Sequence, residues 1–143
     1  MSSGYTGAMH IQVAVICDAA TETYGKLNLL GAFDAIHAQT LPWTHPQCAI
    51  ALRMTFNQVE EGPHKLRLNL VDEDGRLVMP SIDLAVEVKM PEDNHFVTCN
   101  FIIGIQQLKF EKPGHYSIDI ALDGRQEASI PLIVKYFPPK TAD

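Results

Sequence analysis

A chain of 143 residues with 46% hydrophobic and 20% charged side chains has the size and balance of one globular domain, and it is long enough to bury a core without metals or disulfides. Seventeen acidic against eleven basic residues give a formal net charge of −6; with no run of Lys or Arg, this argues against nucleic acid and against an anionic membrane as partners. Three cysteines without a C-x-x-C pair, and no apolar stretch of about 18–20 residues, fit reduced thiols in a cytoplasmic protein better than a disulfide scaffold or a membrane span.

Residues 1–8 are small and polar, with neither the basic nor the apolar region of a secretion signal, and are expected to form a flexible tail. The folded domain is expected to run from 9 to 137. Ile11–Cys17 is apolar on both faces and reads as a central or doubly covered strand. A short helical turn is allowed near Ala19–Tyr24. Leu27–Phe33 reads as a second strand. Leu41-Pro42-Trp43-Thr44-His45-Pro46 reads as a long irregular loop, because two prolines bracket it. Cys48–Phe56 then points Cys48, Ile50, Leu52, Met54 and Phe56 to one side, the alternation of a strand.

Lys65–Asp72 alternates most cleanly, with Leu66, Leu68 and Leu70 set against Lys65, Arg67 and Asn69. Ile82–Lys89 and His115–Asp123 repeat the pattern, the mark of antiparallel strands with one wet face. Phe96–Ile105 is again apolar on both faces. Ala128–Tyr136 carries Pro131, which cannot donate to a ladder and marks an edge or a bulge. Asp72-Glu73-Asp74-Gly75 and Asp123-Gly124 are Asp-Gly hairpin signals. About eight short strands at regular spacing predict an all-β fold: a two-layer antiparallel β-sandwich, immunoglobulin-like or jelly-roll-like. Residues 138–143 are expected to fray.

Two resemblances rest on particular residues. Glu111-Lys112-Pro113-Gly114-His115-Tyr116-Ser117-Ile118-Asp119-Ile120 resembles the entry to a late strand of immunoglobulin-like and fibronectin-like sandwiches, where a Pro-Gly turn feeds a strand opening with a corner Tyr. More widely, Cys17-Asp18, Gly25-Lys26-Leu27, Gly31-Ala32-Phe33, the Pro-flanked loop, Leu70–Arg76 and Pro113-Gly114-x-Tyr116 together look like a family of uncharacterised small bacterial proteins. That resemblance implies a bacterial β-sandwich. It carries no activity and assigns no functional residue.

No catalytic, cofactor or metal motif stands out. Asp72-x-Asp74-Gly75 matches part of a calcium loop, but Leu70 and Ser81 occupy positions that need acids. The histidines, His10, His37, His45, His64, His95 and His115, lack zinc-ligand spacing. Cys48 and Cys99 fall on core-facing positions of separate strands; they are read as buried thiols, with a disulfide as the alternative. If strands alternate up and down, one end of the sandwich gathers Asp34, His37, Trp43, His45, Asp72, Asp74, Glu111 and His115. Trp43, His37, His45, Asp72 and Asp74 are the candidate ligand or partner contacts, because the sole Trp lies among them. The competing reading makes Trp43 a plug for the open end of the core. The expected function is a non-enzymatic interaction or assembly module, possible as a homo-oligomer through a sheet edge or apolar face. The alternative is a carbohydrate or small-ligand binder. No cofactor is expected.

Overall fold

The structure, a computed structural model, describes residues 9–140. The expected tail at 1–8 lies outside the described residues, as do residues 141–143 of the C-terminal one. Nine strands follow in chain order: β1 His10–Thr23, β2 Lys26–Phe33, β3 Ala35–Ala38, β4 Trp43–Asn57, β5 Gly62–Val71, β6 Ile82–Val88, β7 Phe96–Phe110, β8 Gly114–Leu122 and β9 Arg125–Tyr136. They form a four-stranded sheet, β2-β1-β4-β7, and a five-stranded sheet, β3-β9-β8-β5-β6. Every pairing is antiparallel except β3 with β9. The expected all-β sandwich is the observed fold.

The alternating strands do what their pattern demands. Leu66, Leu68 and Leu70 of β5 and Tyr116, Ile118, Ile120 and Leu122 of β8 are buried against Ile50, Leu52, Met54 and Phe56 of β4. Burial of such side chains contributes roughly 1.5–3 kcal/mol each, so this interface dominates stability. The three cysteines are free. Cys48 lies opposite Ile105 and Cys99 opposite Met54 on the same strand pair. At about 3.4 Å per residue the two thiols are far too distant to bond.

Several local expectations are corrected. Ala19–Thr23 is not a helical turn: it continues β1, and Tyr24 and Gly25, both at positive φ, form the tight turn into β2. The loop expected at Leu41–Pro46 is shorter, because β4 already starts at Trp43 and carries Pro46 within it. The backbone hydrogen bonds there come from β7, where Thr44 pairs with Lys109 and His45 with Leu108. The Asp72–Gly75 turn does fold the chain back tightly, with Val71 bridged antiparallel to Leu77, but the returning segment is not β6: residues 72–81 separate β5 from β6. By contrast Asp123-Gly124 does close a two-residue hairpin, with both residues at positive φ. Pro131 lies in β9, an inner strand by sheet order. However, β3 reaches only Ile133–Tyr136, so that flank of β9 is bare at Pro131.

The first hairpin has a second role. Beyond Cys17, β1 stops pairing with β4 and turns back with β2 across the outer face of the four-stranded sheet. The geometry follows from its tip. The Gly25 carbonyl accepts from Arg53 Nη1 (3.0 Å) and Asn100 Nδ2 (3.1 Å), on β4 and β7. Glu22 accepts from the same Asn100 amide at 2.6 Å. Beneath the arm lies a small second core of Cys17, Ala49 and Ala51, with Val15, Ala20 and Leu27 packed on it. Small side chains on β4 let the arm lie close. Gly31 serves the same end: it sits at φ +69, and a Cβ there would meet Asp18 Oδ2 at 2.3 Å. The doubly apolar character of β1 is therefore answered within the chain.

A titratable clamp ties the far end together. His64 stacks on Phe56, with ring centroids 5.7 Å apart. Its Nδ1 faces Asp123 Oδ2 at 2.6 Å and its Nε2 faces the Glu60 carbonyl at 2.5 Å. Both partners only accept, so both contacts are hydrogen bonds together only when both ring nitrogens carry a proton, as in the imidazolium. Burial opposes that charge, but the bonds to Glu60 and Asp123 outweigh it and raise the pKa. Asp123, accepting from the Lys65 amide and from His64, is held below the usual carboxylate range. The stability from His64 is complete below its unfolded pKa of about 6.5 and is lost as pH rises through its higher folded value. The stability from Asp123 is kept above about pH 4 and lost only on acidification. Melting curves from mildly acidic to alkaline pH should therefore show wild type losing its advantage over His64→Gln above neutrality. A constant difference across that range would contradict a charged His64.

Candidate functional site

The five candidate contacts fall into two separate concavities at one end of the sandwich. Trp43, at the start of β4, pairs with Phe110, and the Phe110 ring lies 5.0 Å from that of Tyr116, edge-on at 72°. Tyr116 belongs to the second concavity, so the two lie on either side of these rings.

The first is an open hollow of about 400 Å³ lined by Asp18, Phe33, Ile36, His37, Trp43 and His45, among others. Four elements build it: the bend of β1, the end of β2, the short strand β3 and the start of β4. His45 and Phe33 meet ring to ring at 5.6 Å. His37 meets Phe137 edge-on at 5.2 Å. Trp43 is half-buried and packs on the main core, so it serves as part of the end wall as well as lining the hollow. Two polar atoms here lack partners: Trp43 Nε1 and His45 Nδ1 are sheltered from solvent with no hydrogen bond. An unmade bond of this kind costs about 1–3 kcal/mol, so both atoms favour an added partner group. A second hollow of about 340 Å³ adjoins the first and shares Ala32 and Phe33 with it. It is lined by Val15, Ile16, Asp34, Ile130 and Pro131. Together they make a groove along the β2–β3 side of the molecule. Its lining carries Asp18 and Asp34 but no Lys or Arg.

Asp72 and Asp74 lie in the second concavity, a smaller cleft of about 140 Å³ shared with Glu73, Lys112, His115 and Tyr116. Here the Asp72 and Glu73 carboxylates hold the turn, and Asp74 contributes its backbone amide. Asp72 Oδ1 accepts from the Asp74 and Arg76 amides, both at 2.9 Å. The bond from Arg76 leads in lowering the Asp72 pKa. Glu73 accepts from the His115 amide at 2.8 Å, tying the turn to β8. Among the described residues no group of three or more His, Cys, Asp or Glu is placed to hold a metal ion.

Asp18, Phe33 and Ile36 were not singled out as contacts from sequence. Asp18 and Phe33 do fall in the segments that carry the wider family resemblance, Cys17-Asp18 and Gly31-Ala32-Phe33. Position 36 gives no signal, because a four-residue strand is too short to show an alternation.

Two packed sheets, antiparallel but for β3 on β9, with Tyr116 Oη donating to the Lys112 carbonyl at 2.5 Å at the entry to β8, define an immunoglobulin-like β-sandwich with its corner tyrosine. The chain belongs to a family of unknown function, DUF6941, whose model matches residues 12–135. No curated protein sequence matches it. Among solved structures, it is similar to an immunoglobulin-like protein of Pseudomonas aeruginosa (12% identity, TM-score 0.39, covering 92% of this chain and 100% of that one). It is also similar to the alkylpurine DNA glycosylase AlkC of Pseudomonas fluorescens, solved on DNA with an abasic-site analogue (9% identity, TM-score 0.46, 89% of this chain). A third is a family 2 glycosyl hydrolase of Bacteroides cellulosilyticus (12% identity, TM-score 0.40, 70% of this chain). This chain spans 30% of the glycosylase and 15% of the hydrolase. No helix among the described residues is long and apolar enough to cross a membrane.

Proposed function

We propose that the protein is a non-enzymatic, cytoplasmic interaction module that takes an extended segment of a partner polypeptide into the groove beside β2 and β3. The observation that carries this reading is the convergence of Trp43, His45 and His37 with Phe33 and Asp18 around one hollow that runs on into a second. An apolar floor with a few polar groups is the usual make-up of a recognition site. Two carboxylates without a lining cation favour basic side chains in the partner. The net charge of −6 draws a basic segment from a distance as well. The hollow holds no Ser, Thr or Cys nucleophile beside its histidines, which supports binding over catalysis.

Selection from a peptide-display library tests this. Peptides enriched on wild type should be rich in Arg or Lys. They should lose at least tenfold in affinity on the double variant Asp18→Asn, His37→Ala. Both residues are exposed, so the fold should persist. Equal binding by the variant, or a failure to enrich any sequence while a glycan panel gives hits, would replace this reading with another ligand class.

A further inference from the structure

Each sheet has two edges, and three of the four are protected. β3 has only four residues. β6 has seven, carries Asp83 and Glu87, and is flanked by Pro80 and Pro91. β2 carries Lys26 and is bent at Gly31. Short length, charge, proline and kinks are the devices that keep an edge from pairing with another chain.

β7 has none of these before Gln107, whose φ of +58 kinks its C-terminal end. Doubly apolar, it was expected to be central or covered; it is instead the edge of the four-stranded sheet, paired along one side with β4 from Phe96 to Phe110. Between Phe96 and Leu108 it has neither a charged residue nor a proline. No strand among the described residues pairs with its other side. Its core-facing side chains are also unfinished. Val97, Cys99, Phe101 and Ile103 are only half-buried, while their opposite numbers on β4, Phe56, Met54, Leu52 and Ile50, are buried. Ile102 on the outer face is 39% exposed.

We propose that β7 pairs antiparallel with β7 of a second copy, so that two four-stranded sheets join into one of eight strands about a two-fold axis. The uncharged stretch is self-complementary. Centred on itself, it sets Ile102 against Ile102 of the second copy, Phe101 against Ile103, Cys99 against Ile105 and Asn100 against Gly104. Each pair puts like faces together, so core-facing side chains extend the core and outer ones meet in water. No like charges meet along the seam, which matters for two copies that each carry −6. Its regular part, from Thr98 to Gln106 and ahead of the kink at Gln107 (φ +58), is roughly 31 Å long at about 3.4 Å per residue. That is enough for about eight to ten backbone hydrogen bonds, within the range of an ordinary stable interface. A self-complementary patch closes as a dimer rather than a fibre. This pairing does not depend on the groove beside β2 and β3, which opens on the opposite flank of the sheet.

Sedimentation velocity over roughly 1–100 µM tests it by mass action. Wild type should approach twice its chain mass of 15.9 kDa as concentration rises. Ile102→Lys sets two ammonium groups face to face and should remain monomeric throughout. Hydrogen exchange on the unaltered protein gives an independent reading: alternate amides of β7 should slow at the high concentration and speed up on dilution, with β4 amides unchanged. A wild type that stays monomeric over the whole range overturns the proposal. So does a dimer that survives Ile102→Lys while β7 amides exchange at one rate at both concentrations.

Discussion

Replacing Phe110 with Ala should cost about 3–5 kcal/mol of stability, the range for deleting a fully buried aromatic side chain. For a domain of this size that lowers the melting temperature by roughly 10–15 °C. Phe110 is fully buried, ends β7 opposite Trp43, and meets Tyr116 edge-on. It therefore closes the core at the end where Trp43 is only half-buried. Trp43→Ala should cost less for that reason, although its ring is larger. Calorimetry on the two variants ranks them. If Trp43→Ala proved the more damaging, the tryptophan would be the plug and the hollow a by-product of its packing.

Ala51→Leu should lift the first hairpin from the sheet. Ala51 is fully buried on the outer face of β4, directly under the arm formed by β1 and β2. β4 is held between β1 and β7 and has the main core behind it, so it cannot retreat. Overpacking such a site costs about 1–3 kcal/mol. Much of that strain is relieved if the arm moves, because its tip is fastened only by exposed polar contacts at Arg53 and Asn100. The expected result is faster tryptic cleavage at Lys26, just past the tip, with a smaller fall in melting temperature than Phe110→Ala shows. An unchanged cleavage pattern would mean the arm is not packed on Ala51.

The sequence revealed faces better than edges. Leu66, Leu68 and Leu70 announced their strand because alternate burial is written into a period of two. The same signal is silent about neighbours in the plane of the sheet. Phe96–Ile105 and Ile11–Cys17 look alike in sequence, yet β1 is inner and covered while β7 is a bare edge. The folded-back hairpin was hidden for a related reason. Its seat is Ala49 and Ala51, and small side chains give no hint of what rests on them.

The candidate site was legible in part. Trp43, His37 and His45 do share one hollow, as expected of loops at one end. The two prolines suggested a loose loop, whereas pairing with β7 holds Trp43 and His45 on a strand. Asp72 and Asp74 went to another cleft because the Asp72 carboxylate is engaged by the Asp74 and Arg76 amides. Asp18 and Phe33 joined the hollow through the bend that follows Cys17, a long-range event that no local pattern encodes.

That bend also sorts the three thiols by depth. Cys99 lies half-buried at the sheet margin, Cys17 under the arm, and Cys48 within the main core, where burial pushes its pKa up to about 11. In the single chain, an alkylating reagent therefore meets them in the order in which the molecule comes apart: Cys99 through breathing of the rim, Cys17 when the arm swings away, and Cys48 only when the two sheets separate. The chain carries its own three-stage clock for unfolding.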